Sequence, residues 1–257
     1  DELFMVPQLQ ASFEDRDVLT AQDRAEIKRQ GLRFRGRGAW PFFRTYRPSY
    51  FPWYLEADEV RFLTHALEEV EIIAPKFADD PSVLEIGDDG SMLLRERNKG
   101  TNTWESRRIA IPPPEPTTYL VAWEEETARK AKALPRVDAS FEADLFLLPN
   151  PVGERGERPY FPHSLLIVDS ASGLIVGTEI LVPQPSLEVM YADVCIKVVE
   201  TFTSLGIVPR KLKIRTHLLA QLLGPLRQEL GVEIEDTPLL LALDTAKQEF
   251  LSFFDRS

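Results

Sequence analysis

The chain has 257 residues, of which 44% are apolar, and its formal net charge is −11. The length allows one large domain or two ordinary ones, and the apolar content is sufficient for a sizeable core. The acidic charge disfavours nonspecific binding to phosphate backbones. No apolar run approaches the ~18 residues of a membrane span. The single cysteine, Cys195, can form neither an internal disulfide nor a cysteine metal cluster. We therefore predict a cytoplasmic protein with no membrane partner and no cofactor. The chain begins with Asp1 rather than Met, which leaves room for a preceding segment.

The first elements in chain order surround an aromatic-rich stretch. Residues 1–20 show little pattern and predict a loose lead-in, whereas Ala21–Gln30 has a helical composition and Gly31 is placed to end the helix. Leu32–Gly38 alternates large and charged side chains and predicts a strand. Ala39–Tyr54 combines eight aromatic residues with three prolines. Prolines at this density exclude a regular helix, so we predict an extended segment that packs on the rest of the chain.

The remaining N-terminal elements predict an α+β unit. Apolar residues at helical spacing predict a helix over Glu56–Ala74, which Pro75 closes. The acidic-glycine sequence Asp88-Asp89-Gly90 predicts a hairpin. The two strands of this hairpin are predicted at Ser82–Gly87 and Met92–Arg97. The further predicted elements are strands at Thr103–Ile111 and Thr117–Trp123 and a helix at Glu124–Leu134. We assign residues 1–135 to an N-terminal domain, with the triple proline Pro112–Pro114 as an alternative boundary.

The C-terminal half is organised around a second predicted hairpin. Leu165–Val168 and Leu174–Val182 are apolar runs, and the turn residues between them include Gly173. Because both runs are apolar at nearly every position, we expect this sheet to be covered on both faces. Asp144–Leu148, just upstream, predicts another strand.

Helices and short strands alternate after this hairpin. Ser186 is a suitable N-cap and Gly206 a suitable C-terminal residue for the first helix, and Gly224-Pro225 predicts a break in the second. The predicted elements are a helix at Ser186–Leu205, a strand at Lys211–Arg215, a helix at His217–Leu230, a strand at Val232–Glu235, and a last helix from Thr237-Pro238 to about Phe254.

The order of these elements resembles a known fold. Strand-strand-strand-helix-strand-helix-strand-helix, over about residues 142–254, is similar to the ribonuclease-H-like fold of integrases and transposases, and IVDSASGLIVG looks like the second and third strands of integrase cores. The resemblance implies an α/β domain at residues 136–257. The pairing of FRTYRPSYFPWYLEADE with RPYFPHSLLIVDSASGLIVG also resembles a group of uncharacterised bacterial proteins that consist of domains of unknown function, which implies no known activity.

Carboxylates are the residues that a ribonuclease-H-like nuclease needs, since they hold two divalent ions. The resemblance implies one acid near the end of the first strand and another at the end of the fourth. Here those strands end in Leu148-Pro149-Asn150 and Arg215-Thr216-His217, without an acid. Whether Asp144, Asp193 and Asp244 converge is left open by the sequence. The three histidines lack metal-ligand spacing and no nucleotide-binding or nucleophile motif is present, so we predict no catalytic residue and no metal site.

One stretch opposes the acidic charge of the chain. Residues 24–47 hold eight Lys or Arg residues and one acid, Glu26, a net charge of +7, with aromatic residues interleaved. Proteins that bind single-stranded nucleic acid combine cations that meet phosphates with rings that stack on bases. The alternative is that the arginines pair with nearby carboxylates and stack on rings as ordinary packing. The candidate nucleic-acid-binding residues are Arg33, Arg35, Arg37, Trp40, Arg44 and Arg47.

Three functions are therefore open. The leading hypothesis is a non-catalytic binding or interaction module, with a protein partner or another ligand, on a degenerate ribonuclease-H-like scaffold. Its motivation is that the strand-end acids are missing. The alternatives are a nucleic-acid-binding protein that uses residues 24–47 and a divalent-metal-dependent nuclease that uses Asp144 or Asp244.

Overall fold

A computed structural model of the chain describes residues 6–98, 100–113 and 117–252. The contacts divide the chain into an N-terminal unit, Gln8–Thr45 and Trp53–Pro116, and a C-terminal unit, Asp1–Pro7, Tyr46–Pro52 and Thr117–Ser257. The chain is a mixed α and β protein, as predicted. Among the described residues, no helix is both long and apolar enough to cross a membrane. The domain boundary at residue 135 stays a prediction.

Among its described residues, the N-terminal unit contains two small sheets, two α-helices and one short 3-10 helix. Its elements are β1 (Gln8–Glu14), α1 (Ala21–Arg29), β2 (Trp40–Tyr46), α2 (Ala57–Asp79), a short 3-10 helix (Pro81–Leu84), β3 (Ser91–Arg97) and β4 (Trp104–Ala110). Strand β1 pairs with β2, and β3 pairs with β4.

The first forty residues of this unit differ from the prediction in two places. Residues 8–14, predicted as a loose lead-in, form β1, and residues 32–38 contain no strand. Gly31, Gly36 and Gly38 have φ values of 71°, 99° and 55°. Because this left-handed region lies outside the extended conformation, the glycines turn the chain where alternation alone predicted a strand.

The hairpin of this unit also lies elsewhere than predicted. Strands β3 and β4 are antiparallel, and Asn98 N donates to Thr103 O at 2.8 Å between them. The predicted acidic-glycine turn instead precedes β3, where Gly87 N donates to Ser91 O at 2.8 Å. Helix α2 continues through Pro75 to Asp79, so the predicted end at Pro75 is wrong.

The C-terminal unit is built on one five-stranded sheet. Its elements are α3 (Glu125–Lys132), β5 (Arg136–Leu147), β6 (His163–Asp169), β7 (Ile175–Leu181), α4 (Leu187–Leu205), β8 (Val208–Ile214), α5 (His217–Leu222), α6 (Gly224–Leu230), β9 (Glu233–Asp236) and α7 (Leu241–Ser252). The strand order is β7-β6-β5-β8-β9. Pairs β5–β6 and β6–β7 are antiparallel, as the predicted hairpin requires, whereas β5–β8 and β8–β9 are parallel.

The two faces of the sheet pack on different helices. Phe141 and Ala143 of β5 contribute to a large core with residues of α4, α5 and α6. On the other face, Leu166 and Val168 of β6 pack on Leu243 and other residues of α7. Because side chains alternate along a strand, Glu142 and Asp144 of β5 face α7. These two acids are buried, with 4% of each residue exposed to solvent.

Local signals set most boundaries of these helices. The Ser186 side chain accepts from Val189 N and Gly206 is left-handed, so both predicted caps of α4 are confirmed. The predicted break at Gly224-Pro225 separates α5 from α6. The predicted strand at Thr117–Trp123 is wrong: alternate side chains pack on the large core, but the backbone pairs with no strand in the described part of the chain.

The last helix begins three residues later than predicted. It begins at Leu241 rather than Pro238, because Leu240 is already buried against the sheet and Glu142 Oε2 accepts from Leu243 N at 2.9 Å. A carboxylate at this position satisfies a first-turn donor and complements the helix dipole. The predicted end near Phe254 lies outside the described residues.

Candidate functional site

A cleft of about 700 Å³ lies in the N-terminal unit beside α1. Five basic side chains line it: Arg16, Arg24, Lys28, Arg33 and Arg35. Two aromatic side chains that also line it, Phe34 and Trp40, have ring centroids 6.1 Å apart at an interplanar angle of 57°. No acid is among the described residues that line the cleft. The arrangement therefore combines concentrated positive charge with two rings at one surface.

Local structure brings the five basic side chains together from three segments. Arg24 and Lys28 are four residues apart on α1, so they lie on one face of the helix. The glycine-rich loop after α1 carries Arg33 and Arg35, and Gly38 N in this loop donates to Asp15 Oδ1 at 2.7 Å. That bond ties the loop to the segment that carries Arg16.

The cations of the cleft differ from other cations of the basic stretch in their ion pairs. Elsewhere in the basic stretch, Arg29 pairs with Glu26 at 2.6 Å and Arg44 with Asp23 at 2.7 Å. Among the described residues, the five cleft cations form no ion pair. Arg24 donates to the carbonyl of Leu19, and the Arg16 guanidinium lies 5.8 Å from the centroid of the Trp40 ring. Pairing with carboxylates therefore describes Arg29 and Arg44, whereas in the cleft Arg16 lies over the Trp40 ring.

Arg44 is a structural residue of the N-terminal unit. It is 6% exposed, and its guanidinium lies 4.0 Å from the centroid of the Phe42 ring and 4.8 Å from that of Tyr54. Both of its terminal nitrogens donate to the Asp23 carboxylate. Burial by itself would raise the pKa of Asp23, but the hydrogen bonds from Arg44 and Thr20 outweigh it and lower that pKa. A buried and paired guanidinium is not available to an external phosphate.

The other sequence-predicted residues have separate positions. Arg33, Arg35 and Trp40 line the cleft. Arg37 is exposed on the same loop but is not a lining residue. Arg47 is partly buried, belongs to the C-terminal unit and is not among the lining residues of the cleft.

Four basic or aromatic lining residues were not among the predicted candidates: Arg16, Arg24, Lys28 and Phe34. The four-residue spacing of Arg24 and Lys28 on a predicted helix could have identified them as one face. Arg16 had no such signal, because it lies outside the basic stretch and reaches the cleft through the fold.

A second cluster lies on the α7 face of the C-terminal sheet. Arg215, which directly follows β8, pairs with Asp244 of α7 and lies 3.6 Å from Asp144 Oδ2 through Nε. Lys247 Nζ lies 3.4 Å from the same Asp144 oxygen and 3.7 Å from the centroid of the Phe146 ring. Asp144 and Asp244 thus converge on a shared cation. The guanidinium group of Arg215 and the ammonium group of Lys247 supply the positive charge beside the buried carboxylate.

The third acid left open by the sequence does not join this cluster. Asp193 is exposed on α4, which packs on the opposite face of the sheet from α7. Within residues 6–98, 100–113 and 117–252, no group of three or more His, Cys, Asp or Glu residues is arranged to hold a metal ion.

A buried polar pair in the C-terminal unit was also missed by sequence reasoning. Ser49 has a φ of 67° and is fully buried, and its Oγ lies 3.4 Å from Nε2 of His163. Burial lowers the pKa of His163 to about 4, so the imidazole is neutral at pH 7. Because both side chains are enclosed, an external substrate cannot reach this pair.

Family models match two regions of the chain. Residues 1–95 match a family model described as a domain of unknown function (DUF7309), and residues 127–251 match another domain of unknown function (DUF6930). No curated protein matches the chain. The predicted resemblance to proteins that consist of domains of unknown function is thereby confirmed. The cleft lies in the first matched region, and the Asp144–Arg215–Asp244–Lys247 cluster lies in the second.

Proposed function

We propose that this protein is a non-catalytic module that binds single-stranded nucleic acid in the cleft of its N-terminal unit. The observation that carries the proposal is that five basic side chains, none in an ion pair among the described residues, surround Phe34 and Trp40. Cations meet a phosphate backbone and rings stack on unpaired bases, which requires a single strand because duplex bases are already stacked. The acidic charge of the whole chain limits binding to this local patch.

The C-terminal unit supports a non-catalytic role on a ribonuclease-H-like scaffold. Its three antiparallel strands and two further parallel strands, joined through helices, are similar to that fold. A nuclease of that fold would need carboxylates that are free to hold divalent ions. Here the fourth strand is followed by Arg215, and Arg215 and Lys247 already face Asp144. The same proposal places this protein in the bacterial cytoplasm.

The test is fluorescence anisotropy of labelled single-stranded DNA and RNA across salt concentrations. If all five cations meet phosphates, the slope of log affinity against log salt is about −3.5, and affinity falls about 100-fold between about 50 and 200 mM salt. Arg33→Ala/Arg35→Ala is expected to make the slope shallower by about 1.4. Phe34→Ala should weaken binding by about 1–3 kcal/mol without changing the slope, because stacking releases no counterions.

The matched control is Arg61→Ala/Arg97→Ala. Both arginines are exposed in the same unit and lie outside the cleft lining, so this variant changes the net charge equally. Equal weakening by the two double variants would contradict a defined site. No binding at low salt would reject nucleic acid as the ligand and direct the search to protein partners.

The same samples test the nuclease alternative. With Mn²⁺ present, the probe is run on a gel after incubation. An intact probe supports the non-catalytic role. A shortened probe, with cleavage lost in Asp144→Asn or Asp244→Asn, would replace that role with metal-dependent hydrolysis.

A further inference from the structure

One edge of the C-terminal sheet is open. Strand β7 ends the order β7-β6-β5-β8-β9, and among the described residues no strand pairs with its outer side. Because a β-bulge between Ile175 and Gly177 interrupts its pairing with β6, the regular part of this edge begins at Gly177. Alternate residues of an edge strand direct their backbone N–H and C=O groups away from the sheet. The stretch from Gly177 to Leu181 therefore offers backbone hydrogen bonds to an added strand.

The two edge strands of this sheet differ in how far they are open to pairing. Lysine and proline guard many natural edge strands, and residues 177–181 contain neither. Ile180 is 50% exposed, and Val182, directly after the strand, is 39% exposed. The opposite edge strand, β9, has only four residues, and Lys211 pairs with two of its acids. An added strand therefore finds more backbone and more apolar surface at β7 than at β9.

A groove of about 520 Å³ follows the β7 edge. One wall is formed by residues 176–179, and the others by residues of α3 and α4. A Cβ atom at Gly177 would lie 2.6 Å from Cγ2 of Thr201, so α4 packs directly against this glycine and holds the strand in place. Several lining residues carry hydroxyl groups: Thr127, Thr178, Thr201, Thr203 and Ser204. The groove thus provides space for a polar side chain beside the open strand.

The charges of this groove favour a cationic side chain. Because side chains alternate along a strand and Gly177 faces α4, Glu179 faces α4 as well. Glu179 forms no ion pair with a described residue. The other charged lining residues, Glu200 and Lys130, are each already paired. Glu179 is therefore the charge that a ligand can match.

We propose that β7 pairs with an extended segment of a partner protein, in which one lysine or arginine lies between β-branched residues. The backbone of the segment adds a sixth strand to the sheet. Its cationic side chain enters the groove beside Glu179, and its apolar side chains cover Ile180 on the opposite face. Antiparallel pairing with a second copy of this chain would bring another Glu179 and another Glu200 to the same face, so like charges disfavour that occupant. The edge is independent of the nucleic-acid cleft, which lies in the other unit.

The test is fluorescence anisotropy of the full chain with the labelled pentapeptide Thr-Val-Lys-Val-Thr-amide. A second peptide has glutamate in place of lysine, and a third has every backbone nitrogen methylated, so that it donates no main-chain hydrogen bond. We expect saturable binding of the first peptide, about tenfold weaker binding of the second, and no saturable binding of the third. Glu179→Gln should weaken binding of the first peptide about threefold. Glu249→Gln, exposed on α7 outside the groove, should bind as the wild type does.

Two further measurements locate the site. Ser204→Trp fills the groove from an exposed position on α4 and should abolish binding, whereas Thr245→Trp, exposed on α7 outside the groove, should leave it unchanged. In hydrogen exchange followed by mass spectrometry, the first peptide should slow the exchange of β7 amides and leave the β9 amides unchanged.

Four results would each overturn the proposal. They are no saturable binding of the first peptide, equal affinity for all three peptides, undiminished binding by Ser204→Trp, and protection of β9 in place of β7. A dimer whose β7 amides are protected before any peptide is added would also overturn it, because a second copy of the chain then occupies the edge.

Discussion

Removal of both cations that face Asp144 is expected to destabilise the C-terminal unit far more than removal of either one. The Asp144 side chain is 6% exposed, whereas those of Arg215 and Lys247 are each 26% exposed. The perturbation is the pair Arg215→Met and Lys247→Met, made singly and together. Methionine keeps most of the apolar stem of each side chain, so the change is mainly in charge.

The expected magnitude follows from the burial of the carboxylate. After Arg215→Met, Lys247 still lies 3.4 Å from Asp144 Oδ2, and after Lys247→Met, Arg215 still lies 3.6 Å from it. Each single change should therefore cost about 1 kcal/mol. The double change leaves a buried carboxylate without a cation and should cost about 3–5 kcal/mol. The two changes are thus expected to couple by roughly 1–3 kcal/mol.

Hydrogen exchange measured by mass spectrometry on the peptide that covers β6 isolates the stability of this unit. These amides lie in the centre of the sheet next to Asp144, and exchange through full opening of the unit reports its free energy of unfolding. The double variant should exchange about 100- to 5,000-fold faster than the wild type. Adding Asp144→Leu should restore most of the protection, because an apolar replacement of a buried ionic cluster is often close to neutral.

The control is Arg210→Met/Lys197→Met. These cations form exposed pairs with Asp138 and Glu200 in the same unit, so their effects should be small and additive. Additive effects in Arg215→Met/Lys247→Met, or no rescue by Asp144→Leu, would refute the idea that Asp144 depends on these two cations.

Two further predictions concern buried groups in the C-terminal unit. His163 has a pKa of about 4 in the folded chain and takes up a proton near pH 6.5 when unfolded, so its contribution to stability is complete above pH 6.5 and is lost as the pH falls towards 4; about 2 kcal/mol should be gone by pH 5. Urea unfolding at pH 7 and pH 5 should show this loss in the wild type, and a His163→Gln variant with an equal loss would contradict it. Cys195 is fully buried, and burial raises the pKa of its thiol to about 12, so iodoacetamide at pH 8 should alkylate it only after unfolding; mass spectrometry showing rapid native labelling would contradict this.

Short-range signals were the successful part of the sequence prediction. The Ser186 and Gly206 caps of α4 and the break at Gly224-Pro225 depend on residues within one helical turn. The hairpin of β6 and β7 depends on two apolar runs around one glycine turn. These features are decided by local backbone preferences, so the sequence shows them directly.

Strand partners were predicted less well. Tyr119, Val121 and Trp123 alternate as a strand would and do pack on the core, but no neighbouring strand accepts their backbone in the described part of the chain. Residues 8–14 show little pattern but become β1 because β2 lies beside them. Pairing between distant segments depends on where the rest of the chain packs, and a propensity for strand does not contain that information.

The candidate sites divide in the same way. The sequence by itself determined that residues 24–47 concentrate positive charge and aromatic rings, since composition is a local property. Only the tertiary structure decided that Arg44 is buried with Asp23 while Arg33 and Arg35 face a cleft. It also brought Arg215 and Lys247, which lie far along the chain from Asp144, to the same carboxylate. An ion pair forms between groups that are close in space, and in a folded chain that distance is set by the packing of strands and helices rather than by separation along the sequence.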